Sequence, residues 1–171
     1  MKQAVEGGSI VQQNRIRVGI GYDAHQLVRD RKLILGGVHI PFEKGLLGHS
    51  DADVLLHAIG DAILGAAGRG DIGKHFPDTN PEYKDISSLL ILKQIKTIVG
   101  DASARIDWID AVIIAQRPKM MPFIDQMKRN IAAALDISET LINLKATTTE
   151  GMGFAGREEG IAAEAVITMS F

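Results

Sequence analysis

The sequence contains no cysteine, and this absence excludes several kinds of chemistry. Disulfide bonds, thiolate metal sites and cysteine nucleophiles are impossible in such a chain. A metal centre, if the protein has one, must therefore use histidine and acidic side chains as ligands.

Long apolar runs and a large excess of one charge are also missing. No run approaches the roughly 20 residues that span a membrane, and no apolar signal segment follows the first residues. The 19 basic and 21 acidic residues give a net charge of −2, which offers no overall electrostatic attraction for nucleic acid. We expect a cytoplasmic protein with no nucleic-acid or membrane partner, in which an anionic ligand needs a local site.

The length and composition favour one folded domain. The chain has 171 residues, of which 46% are hydrophobic and 23% charged, as is ordinary for a globular protein with a real core. Residues 1–14 lack hydrophobic periodicity and are expected to form a mobile N-terminal extension. The domain is then expected to cover residues 15–171.

Alternating and helical patterns follow one another along this domain. Strands are predicted at residues 15–22, 106–115, 141–146 and 161–170, and a hairpin around Gly36 and Gly37. Helices are predicted at residues 85–100 and from Pro118, near a first turn, to about residue 135. We expect an α/β (α+β) fold, in which a mixed β-sheet packs against helices on one side.

A helix at residues 50–66 is predicted to be central. Ser50 is a plausible N-cap, with acidic residues in the first turn, and the helix is apolar on most of its surface, which is typical of a buried helix. Asp53, His57 and Asp61 nevertheless recur every four residues and form one narrow polar strip. Buried carboxylates and imidazoles are costly unless they are paired or bind a metal.

Asp23 and His25 supply a second polar pair. In an extended strand they project from the same side, so that with His57 they match a catalytic zinc site of three ligands and one open position. Asp53 or Asp61 would then support these ligands. The alternative is that the three residues are separate, hydrogen-bonded polar side chains.

Three glycine-containing or proline-containing segments add weaker signals. Residues 145–157 combine threonine hydroxyls, glycines and Glu150, which suit phosphate oxygens and a hard cation, or merely end a strand in a turn. Residues 115–121 place cationic side chains after a strand, as an anion site or as a plain turn. Residues 68–81 are either a connector or a functional lid.

Four blocks of the sequence resemble the family of 2-C-methyl-D-erythritol 2,4-cyclodiphosphate synthases, enzymes of the non-mevalonate isoprenoid pathway. The resemblance runs from about residue 17 to the C-terminus. The blocks appear in this order: GYDAHQL, LLGHSDADVLLHAIGDAILGAAGRGDIGKHFPDTNP, IIAQRPKMMP and KATTTEGMGFAGREEGIAAEAV.

The resemblance implies a homotrimer with active sites between subunits. In that family, the CDP derivative of methylerythritol 2-phosphate is cyclised with release of CMP. The 2-phosphate attacks the β-phosphorus of the diphosphate in the same molecule. No enzyme nucleophile is required, which suits a chain without cysteine. Some relatives are fused to a cytidylyltransferase, and at 171 residues this chain is expected to be the stand-alone form.

Residue roles implied by the resemblance are as follows. Asp23, His25 and His57 would hold Zn²⁺, Glu150 would hold Mg²⁺ or Mn²⁺, and His49 and Thr148 would stabilise the transition state. Residues 115–121 with two threonines would take the cytidine. The implied substrate contacts are Asp23, His25, Ser50, Asp71, Ile72, Gly73, Phe76, Pro77, Asp78, Thr79, Asn80, Ala115, Gln116, Arg117, Pro118, Lys119, Met120, Met121, Thr147, Thr148, Thr149, Glu150, Phe154 and Arg157.

Some relatives also bind an isoprenoid diphosphate on the trimer axis, at positions matching Tyr22, Arg157 and Glu164. Ile20 stands where histidine is frequent, and Ala24 and Ala52 replace the usual valine and glycine, but no implied ligand is lost. Two other hypotheses remain open. One is a metal-dependent phosphohydrolase that activates water, and the other is a non-catalytic trimer that binds isoprenoid diphosphates.

Overall fold

The computed structural model describes residues 15–100 and 104–171. The expected mobile extension, residues 1–14, lies outside the described residues. The strands are β1 (Ile16–Arg29), β2 (Leu33–Leu35), β3 (Val38–Ile40), β4 (Lys44–Leu46), β5 (Arg105–Ile114), β6 (Ile142–Thr147) and β7 (Gly160–Ser170). The helices are α1 (Val54–Ala67), α2 (Ile72–His75), α3 (Ser88–Val99), α4 (Ile124–Leu135) and α5 (Gly153–Gly156), with 3₁₀ helices at Pro81–Tyr83, Met121–Phe123 and Glu139–Leu141.

Five strands form one mixed sheet in the order β4-β1-β7-β5-β6. Strands β5 and β6 run parallel, while β1 and β5 both run antiparallel to β7. The C-terminal ends of β1, β5 and β6 therefore lie at the same edge of the sheet. The predicted mixed sheet is confirmed, as is the hairpin of β2 and β3, but the short edge strand β4 was not predicted.

The two faces of this sheet differ in their surroundings. Helices α1 and α4 pack against one face, and α3 packs against both helices. The opposite face, here called the outer face, leaves Ile16, Val18 and Ile20 of β1 exposed to 71%, 65% and 66%. Apolar side chains in a row on one face of a sheet are normally buried against another layer. Because nothing in the described chain covers these three, the fold of one chain leaves a large apolar surface exposed. Within the described part of the chain, no helix has the length and apolar character needed to cross a membrane.

Helix α1 lies unusually close to β1 because the contact contains almost no side chains. A Cβ atom on Gly19 would lie 1.8 Å from the Ala62 carbonyl oxygen, and one on Gly21 would lie 2.0 Å from the Ala58 carbonyl oxygen. Glycine on the strand and alanine on the helix thus let the two backbones touch. This contact brings His57 of α1 to the continuation of β1.

The start of α1 corrects one prediction from the sequence. The N-cap is Asp53 rather than Ser50, and no acidic residue lies in the first turn. The Asp53 carboxylate accepts hydrogen bonds from Leu56 N at 3.2 Å, Gly36 N at 3.0 Å and Gly37 N at 2.7 Å. It therefore ties α1 to the β2–β3 hairpin, and burial raises its pKa to about 6 although the three N–H groups oppose this.

The other corrected helix start lies after β5. Pro118 is not in a first helical turn, because α4 begins at Ile124 and is preceded by the 3₁₀ helix Met121–Phe123. Residues 115–120 instead form an irregular segment at the sheet edge. The helical segment therefore begins at Met121, three residues after Pro118.

Replacing Gly21 with alanine tests the close contact. The new methyl group would overlap the Ala58 carbonyl, a backbone atom that cannot rotate away, so we expect a loss of about 3 kcal/mol or more in the free energy of unfolding. Denaturant titration measures this loss. Gly65→Ala, whose Cβ would meet only the Ile20 carbonyl at 3.8 Å, is the matched control and should be neutral or stabilising. Equal stability of the two variants would contradict the described contact.

Candidate functional site

Three side chains converge where α1 meets β1. Asp23 Oδ2 lies 3.0 Å from His25 Nε2 and 2.9 Å from His57 Nδ1, and the two ring nitrogens are 3.2 Å apart. Asp23 and His25 lie two residues apart on β1 and share a face, as predicted from strand geometry. His57 is supplied by the first turns of α1.

The charges of this triad are coupled. Burial alone would raise the pKa of the Asp23 carboxyl, but hydrogen bonds and charge from the two imidazoles hold it well below its usual range. Burial would lower the pKa of His25, but the Asp23 carboxylate raises it above its ordinary value. The triad therefore holds a negative charge that a proton on His25 or a bound cation can balance.

The geometry of the triad fits a divalent cation. Among residues 15–100 and 104–171, these three form the one group of at least three potential ligands whose donor atoms all lie within 4.8 Å of one another. Ligand atoms about 2.0 Å from a common tetrahedral ion lie about 3.3 Å apart, which is close to the separations in the triad. Three protein ligands also leave a position open for a ligand of another kind.

The two acidic residues at the start of α1 and on it, Asp53 and Asp61, make their hydrogen bonds away from the triad. Asp53 binds the hairpin and its own helix, as described above. Asp61 accepts a hydrogen bond from Ile72 N at 2.7 Å and so fixes the start of α2. The predicted supporting role of Asp53 or Asp61 is therefore not a hydrogen-bonded one, because both carboxylates accept from backbone N–H groups.

A pocket of about 320 Å³ opens in front of the triad. Its lining includes the predicted site residues His25, His49, Ser50, His57, Ile72, Phe76 and Asp78, together with Gly48, Tyr83 and Ile91. Asp71 instead caps α2 by accepting from Lys74 N, and the Asn80 carbonyl lies 3.3 Å from His49 Nε2. Gly73, Pro77 and Thr79 lie in the same segment without lining the pocket.

Tyr83 and Ile91 were not found from the sequence. The Tyr83 ring packs edge-on against Phe76 with 5.4 Å between the ring centroids. Tyr83 lies two residues after residues 68–81 and Ile91 lies in α3, so both fall outside the segment that carries the predicted contacts.

A second pocket, of about 370 Å³, lies at the same edge of the sheet beyond the C-terminal ends of β5 and β6. Its lining residues are Ala115, Gln116, Pro118, Lys119, Met120, Met121, Pro122, Ala146, Thr147 and Thr148. Strand spacing puts β5 about 10 Å from β1 across the sheet. Within one chain, the two pockets have no lining residue in common.

Arg117 does not line this second pocket. Its guanidinium makes two hydrogen bonds to the Glu158 carboxylate, at 2.6 and 2.7 Å, and lies 5.6 Å from the centroid of the Phe42 ring. Gln116 Oε1 accepts a hydrogen bond from Gly151 N at 3.3 Å. These two links fasten residues 115–121 to the loop that carries Glu150.

The loop after β6 presents the remaining predicted residues. Thr148 Oγ1 donates to Glu150 Oε1 at 2.9 Å, and Thr149 Oγ1 donates to the Met152 carbonyl at 2.5 Å. Phe154 lines a third, smaller pocket beside His25, of about 260 Å³. Arg157 is held by Glu159 at 2.9 and 3.0 Å.

Similar proteins are known for almost the whole of the described chain. The model of the YgbB family matches residues 16–170. The chain belongs to the YgbB family. A YgbB relative from Alkaliphilus oremlandii, a 2-C-methyl-D-erythritol 2,4-cyclodiphosphate synthase, is 62% identical over 154 residues, covering 90% of this chain and 98% of its own length. The synthase of the same name from a Geobacillus strain is 61% identical over 153 residues, covering 90% and 97%.

Solved structures of this kind share the fold. The bifunctional IspDF of Campylobacter jejuni has a TM-score of 0.89 and 44% identity over 93% of this chain, which corresponds to 43% of that longer chain. The Plasmodium falciparum IspF in complex with CDP has a TM-score of 0.79 and 34% identity, covering 92% of this chain and 97% of its own. A CDP-bound 2C-methyl-D-erythritol-2,4-cyclodiphosphate synthase has a TM-score of 0.80 and 34% identity, covering 88% and 98%.

Asp23→Asn tests whether the triad holds a cation. The amide keeps the size of the side chain but removes its negative charge, so we expect the content of divalent metal after purification without chelator to fall at least several-fold. Elemental analysis of the purified protein measures it. Asp136→Asn, which alters an exposed carboxylate paired with Lys96, is the control and should keep the wild-type content. Equal metal content in both variants would count against the site.

Proposed function

We propose that this protein cyclises 4-CDP-2-C-methyl-D-erythritol 2-phosphate to 2-C-methyl-D-erythritol 2,4-cyclodiphosphate and releases CMP. It is a phosphorus–oxygen lyase of isoprenoid precursor synthesis. The observation that carries this conclusion is the family match over residues 16–170 in a chain that retains the complete Asp23, His25 and His57 triad. High identity to synthases over nearly their whole length supports the same activity.

The reaction transfers a phosphoryl group within one substrate molecule. An oxygen of the 2-phosphate forms a bond to the β-phosphorus, and the bond from that phosphorus to the oxygen bridging the α-phosphorus breaks. CMP leaves with the bridging oxygen and its electron pair. The protein has to position the two phosphates and neutralise their charge, and it needs no nucleophile of its own.

The proposed metal ligands lie in the triad and in the loop after β6. Asp23, His25 and His57 would hold Zn²⁺, and Glu150 would hold a second divalent cation, Mg²⁺ or Mn²⁺. When bound, such cations supply positive charge that stabilises a diphosphate during phosphoryl transfer. The Glu150 carboxylate accepts a hydrogen bond from the Thr148 hydroxyl. The Glu150 backbone is left-handed (φ 52°), a strained conformation that clusters at functional sites.

The two pockets divide the substrate between them. The pocket at the triad would take the methylerythritol phosphate, where Ser50 is buried and the His49 ring is held against the Asn80 carbonyl. The pocket at residues 115–121, with Thr147 and Thr148, would take the cytidine. The CDP-bound structures of similar proteins support a cytidine nucleotide as ligand. His49 and Thr148 would then stabilise the charge that develops in the transition state.

A homotrimer would join these half-sites. The outer face of β1, β7 and β5 exposes Ile16, Val18, Ile20, Trp108 and Val166. Closed association of three copies through this face would cover it, and could place the cytidine pocket of one chain against the triad of its neighbour. The outer face also carries Tyr22 directly opposite Glu164, so an isoprenoid diphosphate could bind on the trimer axis.

Product analysis tests the activity. Incubation with the CDP substrate and Mg²⁺ should yield the cyclic diphosphate and CMP in equal amounts, seen by ³¹P NMR. His57→Ala should lower turnover by at least 100-fold, because a ligand of the triad is lost.

Two other outcomes would contradict the proposal. Linear phosphate products would indicate a phosphohydrolase that activates water. Isoprenoid diphosphate binding without turnover, unchanged in His57→Ala, would indicate a non-catalytic binding protein.

The assembly is tested by placing a charge on the outer face. In Ile20→Glu, a carboxylate would be buried between subunits, so we expect the variant to sediment as a monomer where the wild type sediments as a trimer. Analytical ultracentrifugation distinguishes the two. Leu90→Glu, on an exposed position of α3, is the control and should remain trimeric. A wild-type monomer at micromolar concentration would refute the assembly.

A further inference from the structure

The ring of His57 is held on the side that faces away from Asp23. Its Nε2 lies 3.0 Å from Ser88 Oγ, whereas its Nδ1 lies 2.9 Å from Asp23 Oδ2. Ser88 is the first residue of α3, and only 1% of its surface is exposed. None of the motifs in the sequence pointed to this serine, which lies 31 residues from His57.

Asp51 holds Ser88 in turn. The Asp51 carboxylate accepts from the Ser88 hydroxyl through Oδ1 and from Ser88 N through Oδ2, the latter at 3.0 Å. Asp51 itself is fixed because its backbone N–H donates to the Ile86 carbonyl at 3.1 Å. The result is a chain of hydrogen bonds from Asp51 through Ser88 to His57.

The direction of these hydrogen bonds determines the protonation of the neutral imidazole. A carboxylate accepts only, and a serine hydroxyl has one proton to donate. Because Ser88 donates that proton to Asp51, its oxygen must accept from His57, which places the ring proton on Nε2. The Ser50 hydroxyl lies farther from Nε2, at 3.3 Å, and already accepts from Ala52 N, so the shorter Ser88 contact is decisive.

We propose that Ser88 and Asp51 are positioning residues of the metal centre, which hold His57 as the tautomer with its proton on Nε2. The Nδ1 lone pair is then directed at the cation that Asp23 and His25 also bind. Partners of this kind raise the affinity of a metal ligand by fixing its tautomer and ring orientation. The inference rests on the proposed metal centre and adds two residues to it.

A purely structural role predicts a different result. Asp51 also serves as a cap for α3, since it accepts from Ser88 N while the local N-cap, Ser87, makes no side-chain hydrogen bond. Ser88→Ala removes the hydroxyl but keeps the backbone N–H that Asp51 caps. The variant therefore separates support of His57 from capping of α3.

The test compares zinc affinity and the exchange rate of the His57 Nε2 proton in three variants. In the zinc-loaded protein, ¹⁵N NMR should show the Nε2 proton of His57 protected from exchange with water in the wild type, because it is donated to Ser88, and exchanging faster in Ser88→Ala. Zinc affinity, measured by chelator competition, should fall about 10-fold to 100-fold in Ser88→Ala. Ser88→Thr, which restores a hydroxyl, should recover most of this loss, and Ser87→Ala should bind zinc as the wild type does.

Each contrary result has a distinct meaning. Wild-type zinc affinity and an unchanged exchange rate of the His57 Nε2 proton in Ser88→Ala would overturn the positioning role and leave the proposed function intact. An equal loss of affinity in Ser87→Ala would also overturn it, because the effect would then come from the start of α3. A wild-type protein that binds no zinc would overturn the proposed metal centre and this inference together.

Discussion

The contact between α1 and β1 is the constraint on which the rest of the structure depends. Gly19 and Gly21 present bare backbone to the carbonyl oxygens of Ala62 and Ala58, so strand and helix approach more closely than side chains would permit. His57 directly precedes Ala58, and the same approach brings it within hydrogen-bonding distance of Asp23. The chemistry of the site is thus a consequence of how two secondary-structure elements pack.

Local patterns in the sequence were enough to predict much of this arrangement. Alternation placed Asp23 and His25 on one side of a strand, and helical spacing placed His57 on an inward-facing strip. Both inferences concern residues within one element, where the periods of strand and helix determine direction. The juxtaposition of the two elements was supported by the resemblance rather than by spacing, since spacing alone left separate hydrogen-bonded residues as an alternative.

The errors concern polar groups whose partners are distant in the chain. Serine is a common N-cap residue, but Asp53 rather than Ser50 caps α1. The Asp53 carboxylate also accepts from two glycine N–H groups of the hairpin, 16 and 17 residues earlier. The bond between Arg117 and Glu158 spans 41 residues, and that between Ser88 and Asp51 spans 37. Such pairings are decided by tertiary packing, which no local pattern encodes.

The uncovered outer face of the sheet has a consequence for how this protein must be handled. If its apolar strand surface is buried only on association, folding and assembly are linked by mass action. Resistance to heat or denaturant would then rise with protein concentration, and a dilute sample would melt earlier than a concentrated one. A newly synthesised chain would meanwhile expose this aggregation-prone apolar surface until it associates with other copies.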